Sequence, residues 1–377
     1  MSSLFHDLFV WAPLGLPAFI FVITVVVFFH ELGHFLMARA CGVSIETFSI
    51  GFGSEIFGWT DRKGTRWKVS WLPLGGYVKF LGDADAASTP DRDRVAAMDA
   101  AERSNAFLLK PLFQRVLVVL AGPAANFVLA IVVFTLLYAF LGAKALSTTV
   151  GSVTPNSPAA MAGIKPGDKI TAVDGKPVKL FYGELQGIVQ GSKGKKLAFS
   201  IERSGRPMLL KIQPREIGNT DIYGAPVKSM AIGVGPADDT AENIVYLPVS
   251  ATKAPLVAVA QTWFIVDMSL TGLWRMVSHH ADASQLTGVV GIAGISQREA
   301  SHGFYDLIYL AAVISVSIGL INLFPIPLLD GGHLLYYGCE AVLGRPLGER
   351  VQDVGFRVGL ALVLALMIFA TWNDLVR

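Results

Sequence analysis

The sequence predicts a polytopic α-helical membrane protein with four transmembrane helices, a membrane-associated β-hairpin and an inserted α+β domain. Three observations lead there. Hydrophobic residues make up 53% of the 377 residues and charged residues only 16%, with a mean hydropathy of +0.52. A soluble domain usually carries less apolar and more charged sequence. Four apolar stretches then reach, or nearly reach, the length needed to cross hydrocarbon as helix: 16–38, 112–141, 307–326 and 354–372. Finally, the segment between the second and third stretches is rich in glycine, proline and turn signals. The net charge of +2 gives no reason to invoke nucleic acid.

The first element is the stretch 16–38. No lysine or arginine precedes Arg39 and no small-residue cleavage site is evident, so the stretch reads as retained and not as a removed signal peptide. The following loop carries Arg62, Lys63, Arg66, Lys68, Lys79, Arg92, Arg94, Arg103 and Lys110, which places it in the cytoplasm. The N-terminus, the region from Gly142 to about Ser301, and Arg377 then lie outside, while Arg345 and Arg350 fall inside. Cys41 and Cys339 are too few for a disulfide framework, both lie on the reducing side, and they read as packing residues.

Within the cytoplasmic loop, Trp67, Val69 and Trp71 alternate with Lys68 and Ser70, and Gly75-Gly76 offers a turn, so a β-hairpin is expected over residues 65–82. Residues 83–105 read as a solvated helix or flexible linker. The first membrane half thus covers 1–141, the inserted domain 142–236, an amphipathic segment 237–304 and the second membrane half 305–377. The run Pro255–Trp274 is apolar, but Lys253, Asp267, Arg275 and the His279-His280 pair favour a helix lying in the membrane interface. Parity agrees. A crossing there would carry Asp330 to the opposite face from the first span's cytoplasmic end.

The chemistry centres on His30-Glu31-Leu32-Gly33-His34, an H-E-x-x-H motif inside the first span. On a helix His30 and His34 share one face and can bind one metal, with Glu31 beside them as a general base. By chance alone the motif is common, and a buried Glu–His pair is the bland reading; its place in a membrane span makes that reading costly. A zinc hydrolase needs a third protein ligand. His6, His279, His280 and His302 fall on the wrong side, whereas Asp330 and His333 fall on the right one. Asp330 follows Asn322-Leu323-Phe324-Pro325-Ile326-Pro327, where two prolines should break the third span at membrane depth.

Two sets of residues carry a family resemblance. The string Ser157-Pro158-Ala159-Ala160 through Gly163-Ile164-Lys165-Pro166-Gly167-Asp168 to Val173-Asp174-Gly175 closely resembles a bacterial PDZ domain, a fold that adds extended peptides to a sheet edge. Its peptide-binding loop would be Ser229–Gly233. H-E-x-x-H, Ala121-Gly122-Pro123-Ala124-Ala125-Asn126, and Asn322 to Gly331 resemble the site-2 protease family over nearly the whole chain, most closely its bacterial RseP type, which has a periplasmic PDZ domain. That resemblance implies Zn2+ held by His30, His34 and Asp330, with Glu31 as the catalytic base. It also implies that Asn322 positions substrate backbone, and that a membrane-re-entrant hairpin holds extended substrate near Gly75, Gly76 and Tyr77. The implied setting is the bacterial inner membrane, with both termini and the PDZ domain in the periplasm. The implied partners are the lipid bilayer, a peptide or C-terminus at the PDZ domain, and a single-span protein such as a pre-cleaved anti-sigma factor or a remnant signal peptide, cut in envelope stress signalling. Departures exist. There is room for one PDZ domain where some relatives have two, and Gln285–Val289 replaces the asparagine and proline of the usual N-L-S/T-G-P. Gly51-Phe52-Gly53 matches a glycine-rich loop without an obvious role.

Two other classes remain open from sequence alone. A metal transporter or sensor would also use intramembrane His and Asp, but it would gain nothing from Glu31 and would need a trail of polar residues across the spans. A catalytically idle PDZ receptor would survive loss of Glu31.

Overall fold

The computed structural model describes residues 15–85, 91–220, 226–238, 240, 242–278 and 286–376. The N-terminal residues including His6, the His279-His280 pair, Gln285, Arg377 and part of the 83–105 loop lie outside them. In chain order the elements are α1 (Gly15–Ala40), β1 (Ile45–Thr60), β2 (Arg66–Phe80), α2 (Arg92–Ala97), α3 (Ala100–Asn105), α4 (Leu112–Phe140), β3 (Ala143–Leu146), β4 (Val150–Val153), α5 (Pro158–Met161), β5 (Lys169–Val173), β6 (Lys176–Pro177), α6 (Gln186–Gly191), β7 (Leu197–Arg203), β8 (Arg206–Ile212), β9 (Arg215–Thr220), β10 (Pro226–Ala231), β11 (Val234–Pro236), β12 (Ile244–Leu247), α7 (Ala254–Val277), α8 (Val289–His302), α9 (Phe304–Asn322), α10 (Asp330–Leu343) and α11 (Glu349–Val376). They form two compact units, one of Met1–Thr135, Pro255–Leu270 and Ser284–Arg377, the other of Leu136–Ala254 and Thr271–Ala283.

Among the described residues, α1, α4, α7, α9 and most of α11, lying wholly or mainly in the first unit, are long and apolar enough to cross a membrane. The protein is therefore a multi-pass membrane protein. Four of these helices match the expected spans; α7 is the additional one. Its Gln261 Nε2 donates to the Tyr309 hydroxyl of α9 at 2.9 Å, while Leu256, Trp263, Phe264 and Trp274 are exposed. The expected third span ends early. α9 stops at Asn322, and Phe324-Pro325-Ile326-Pro327 runs as a turn to α10, since proline supplies no amide donor to continue a helix.

The hairpin departs from the expected 65–82. It runs from Ile45 to Phe80, its turn lies at Asp61–Thr65, and Gly75-Gly76 sits inside β2. The reading failed because Gly51 and Gly53 passed for a loop. Gly51 is a strand residue with φ +85°, and a side chain there would press on the Ser70 and Leu72 carbonyls. Glycine thus allows a bulge where two strands approach closely. Asp61 locks the turn to the end of α1: Arg39 Nη2 donates to its Oδ2 at 2.6 Å, Trp67 Nε1 at 3.2 Å, and the Lys63 and Thr65 amides to its Oδ1. Among the described residues of 83–105, the helix alternative holds: α2 and α3 form there. α3 begins with a capping box between Asp99 and Glu102, and Val95, Met98 and Ala106 pack with Leu81 and Leu108.

The second unit holds the inserted domain. Its main sheet has the order β6-β5-β7-β8, all antiparallel. The core is Phe199 and Ile201 from alternate positions of β7, Ile170 and Val173 on either side of an irregularity in β5, and Ile212, closed by Val150, Leu185 and Ile232. Ser157 caps α5 by accepting from the Ala160 amide at 3.2 Å. The expected boundary at 236 is too early, because β12 pairs with β3 and extends the unit beyond it.

Candidate metal centre

α1 brings His30 and His34 to its buried face, one turn apart, in line with Val22 and Val26. Against the bilayer-facing hydrophobicity of this helix, the two histidines are only 8% and 9% exposed. Asp330 is the first residue of α10, reached through the turn after α9. Gly331 and Gly332 follow because the returning chain crosses here: side chains at these positions would strike the Leu323–Phe324 and Ile326–Pro327 backbones. Leu328 takes φ +108°, a conformation that disfavours a branched side chain and marks a backbone forced into place. So Asp330-Gly331-Gly332 is the start of a helix and not a plain turn.

These elements bring three donor atoms together. His30 Nε2 lies 3.2 Å and His34 Nε2 3.4 Å from Asp330 Oδ2, and the two Nε2 atoms are 3.3 Å apart. Three ligands of a tetrahedral metal with bonds of about 2.0–2.1 Å stand about 3.3–3.4 Å apart, so the triangle has the size a zinc ion requires. Asp330 Oδ2 is buried without a hydrogen bond, as a ligand oxygen awaiting a cation would be. His34 Nδ1 donates to the Val118 carbonyl at 2.9 Å, which leaves a lone pair on Nε2. Glu31 adjoins His30 on α1, and Gly76 of β2 lies against its Cγ. His333, the alternative third ligand, lies farther along α10 and is not in this cluster. A second trio with donor atoms near one another, Glu299, His302 and Asp306, includes the exposed His302.

Close helix contact makes the triangle possible. A side chain at Gly33 would strike the Ala121 carbonyl, and one at Gly122 would strike the His34 ring. Small residues let α1 and α4 approach until the Val118 carbonyl reaches His34. From the same helix, Asn126 places its side-chain amide 3.3 Å from His30 Nδ1. In the sequence the Ala121–Asn126 motif carries the family resemblance without a stated role; the structure sets Gly122 against the His34 ring and Asn126 beside His30.

The remaining expected site residues fall as follows. Gly76 lies against α1, where a side chain would meet Ser49 O, Val27 and the Glu31 Cγ. Tyr77 stacks on Phe52 with ring centroids 6.0 Å apart, and Lys68 Nζ lies 5.3 Å above its ring. Gly75 has φ +130° and adjoins the Phe52 ring. Asn322 closes α9, partly exposed, and is joined to Asp330 by the turn 323–329.

A family model described as Peptidase family M50 matches residues 18–366. The chain belongs to that family. Among its M50 relatives, "Putative zinc metalloprotease Atu1380" of Agrobacterium fabrum is 42% identical over 357 residues, covering 95% of this chain and 94% of the relative. "Metalloprotease MmpA" of Caulobacter vibrioides is 41% identical over 386 residues, covering 96% and 95%. The chain is thus a zinc metalloendopeptidase of the M50, or site-2 protease, family, and Zn2+ is its metal. Among solved structures, the PDZ domain of the SdrC-like protein of Listeria monocytogenes is 26% identical over 25% of this chain and 90% of its own, with a TM-score of 0.20.

Proposed function

We propose that this M50 member cuts single-span membrane proteins within the bilayer, with His30, His34 and Asp330 holding zinc and Glu31 as general base. The observation that carries the reading is the triangle of Nε2, Nε2 and Oδ2 atoms beside Glu31, built from an apolar helix and the break after α9. An ionisable cluster at that depth is expensive to keep without use.

Bound zinc supplies a Lewis acid and a water acidic enough to ionise near neutral pH. The protein's own groups do the rest. Glu31 accepts a proton as the nucleophile forms and returns it to the leaving amine. Gly75, Gly76 and Tyr77 on β2 hold the substrate in extended form beside Glu31, since a helical substrate hides its peptide bonds. Asn322 steadies the substrate backbone from the end of α9. The exposed Phe52, Ile56, Phe57, Trp59, Val69, Trp71 and Leu72 of the hairpin meet lipid.

In this reading four helices cross and α7 lies in the interface, which keeps Asp330 on the face where α1 ends. The inserted domain acts as a periplasmic PDZ domain, filtering substrates by size or holding a newly exposed C-terminus. The substrates are pre-cleaved anti-sigma factors or remnant signal peptides of the inner membrane, cut in envelope stress signalling.

The test is cleavage in reconstituted membranes of a tagged single-span protein, with its outer domain intact or removed. Wild type should cut the shortened form, lose activity to a zinc chelator and regain it with zinc. Glu31→Gln should keep zinc and lose turnover by about 10²–10⁴-fold or more. Zinc without cleavage of any shortened substrate would return the receptor or transporter readings.

A further inference from the structure

The two zinc-facing histidines are both held from α4, and the second contact reveals an unassigned role. His34 is served by a backbone carbonyl, that of Val118. His30 has the amide of Asn126, fully buried, with Nδ2 at 3.3 Å from His30 Nδ1. That orientation suits a His30 that keeps its ring proton on Nε2, and not one that binds a metal through Nε2. With His30 Nε2 turned to the triangle, the ring proton sits on Nδ1, so two N–H groups face each other. Meanwhile Asn126 Oδ1 is buried with no partner. Half a turn of the amide exchanges nitrogen and oxygen with almost no change of shape and removes both faults at once.

We propose that Asn126 presents its amide oxygen to His30 Nδ1–H and so fixes the tautomer that leaves His30 Nε2 free for the metal. It is a positioning residue, acting through His30 as Val118 acts through His34. Its own backbone is anchored by α9: Ser315 Oγ donates to the Asn126 carbonyl at 2.9 Å, and Gly319 leaves space beside the Asn126 Cβ. A leucine of similar size would fill the volume but could accept no hydrogen bond; an aspartate would keep the acceptor.

This inference rests on the reading of His30, His34 and Asp330 as ligands, and the experiment separates the two. Full-length wild type, Asn126→Leu, Asn126→Asp and His30→Ala are purified in detergent. Zinc dissociation constants are measured by competition with a chromogenic chelator, alongside melting temperatures of the metal-free forms. The expected result is a 10–100-fold loss of zinc affinity in Asn126→Leu, near-wild-type affinity in Asn126→Asp, and similar metal-free melting for both. Unchanged affinity in Asn126→Leu, with zinc lost from His30→Ala, overturns the role of Asn126 alone. An Asn126→Asp protein that binds zinc as poorly as Asn126→Leu also overturns it, and if the leucine variant does not fold, the aspartate variant decides by itself. Zinc retained by His30→Ala overturns the site reading and this role with it.

Discussion

Arg115 grips Glu340 with both arms of its guanidinium, Nη1 to Oε2 at 3.1 Å and Nη2 to Oε1 at 2.5 Å. The side chains are 10% and 16% exposed, and the Arg115 head also lies 4.9 Å above the Tyr337 ring. This pair ties α4, which steadies both histidines, to α10, the helix whose first residue, Asp330, is the proposed acidic ligand. Glu340→Gln should leave a largely buried guanidinium without its counter-charge and cost about 3 kcal/mol. Arg115→Lys should not substitute, since a single ammonium cannot make the two-pronged contact. Melting of the metal-free protein and zinc affinity, measured together, check this: both should fall.

The contact between Gly33 and the Ala121 carbonyl predicts a different failure. Gly33→Ala should force α1 and α4 apart, costing about 1–3 kcal/mol, and displace His34 from the Val118 carbonyl. Zinc content of the purified protein should drop. Gly338→Ala is the control. Gly338 lies in α10 with open space around its missing side chain, so alanine there should stabilise by up to about 1 kcal/mol.

Gly76→Val tests the proposed base separately from the proposed ligands. The added side chain meets Glu31 Cγ and the Ser49 carbonyl, so the carboxylate should shift while the three ligands stay. A displacement of about 1 Å can cost about 10²-fold in rate. Cleavage should therefore fall about 100-fold at unchanged zinc stoichiometry. Equal loss of zinc and activity would mean that β2 supports the ligands as well.

In the inserted domain, Asp168 offers a pH test. Its carboxylate, 1% exposed, accepts from Arg203 Nε at 2.6 Å and from the Lys165 amide at 2.8 Å. The Arg203 hydrogen bonds first, against the opposing effect of burial, hold its pKa below the ordinary carboxylate value. A carboxylate depressed on folding adds stability above its unfolded pKa of about 3.9, and loses it as pH falls through the folded value. Protection of the β5 and β7 amides from hydrogen exchange, corrected for intrinsic rates, should fall as the pH drops below about 4. Asp168→Asn should be less protected at neutral pH and show a flatter acid response.

Much of the architecture was legible in the chain. Apolar runs located the four expected helices, because hydrocarbon admits few alternatives to a long helix with satisfied backbone groups. The glycine and proline punctuation from Ser157 to Gly175 located the turns of the inserted domain, since those residues limit the backbone conformations available. Two prolines before Asp330 marked the break. The hairpin was read only in part, because glycines such as Gly51 signal a loop as readily as a bulge. Its long first strand becomes evident only through pairing with β2.

By itself the sequence determined that two histidines and a glutamate share one membrane helix, and that an aspartate follows a broken one. Those facts follow from spacing and from local backbone rules. Residue spacing alone left Asp330 and His333 both open, and the family resemblance pointed to Asp330. Only the tertiary structure shows the triangle with His333 outside it, and Gly33, Gly122, Asn126, Arg115 and Glu340 packed around it. Such contacts join residues far apart in the chain, and a glycine's value lies in the neighbour it admits. Local sequence carries no record of which backbone will come that close.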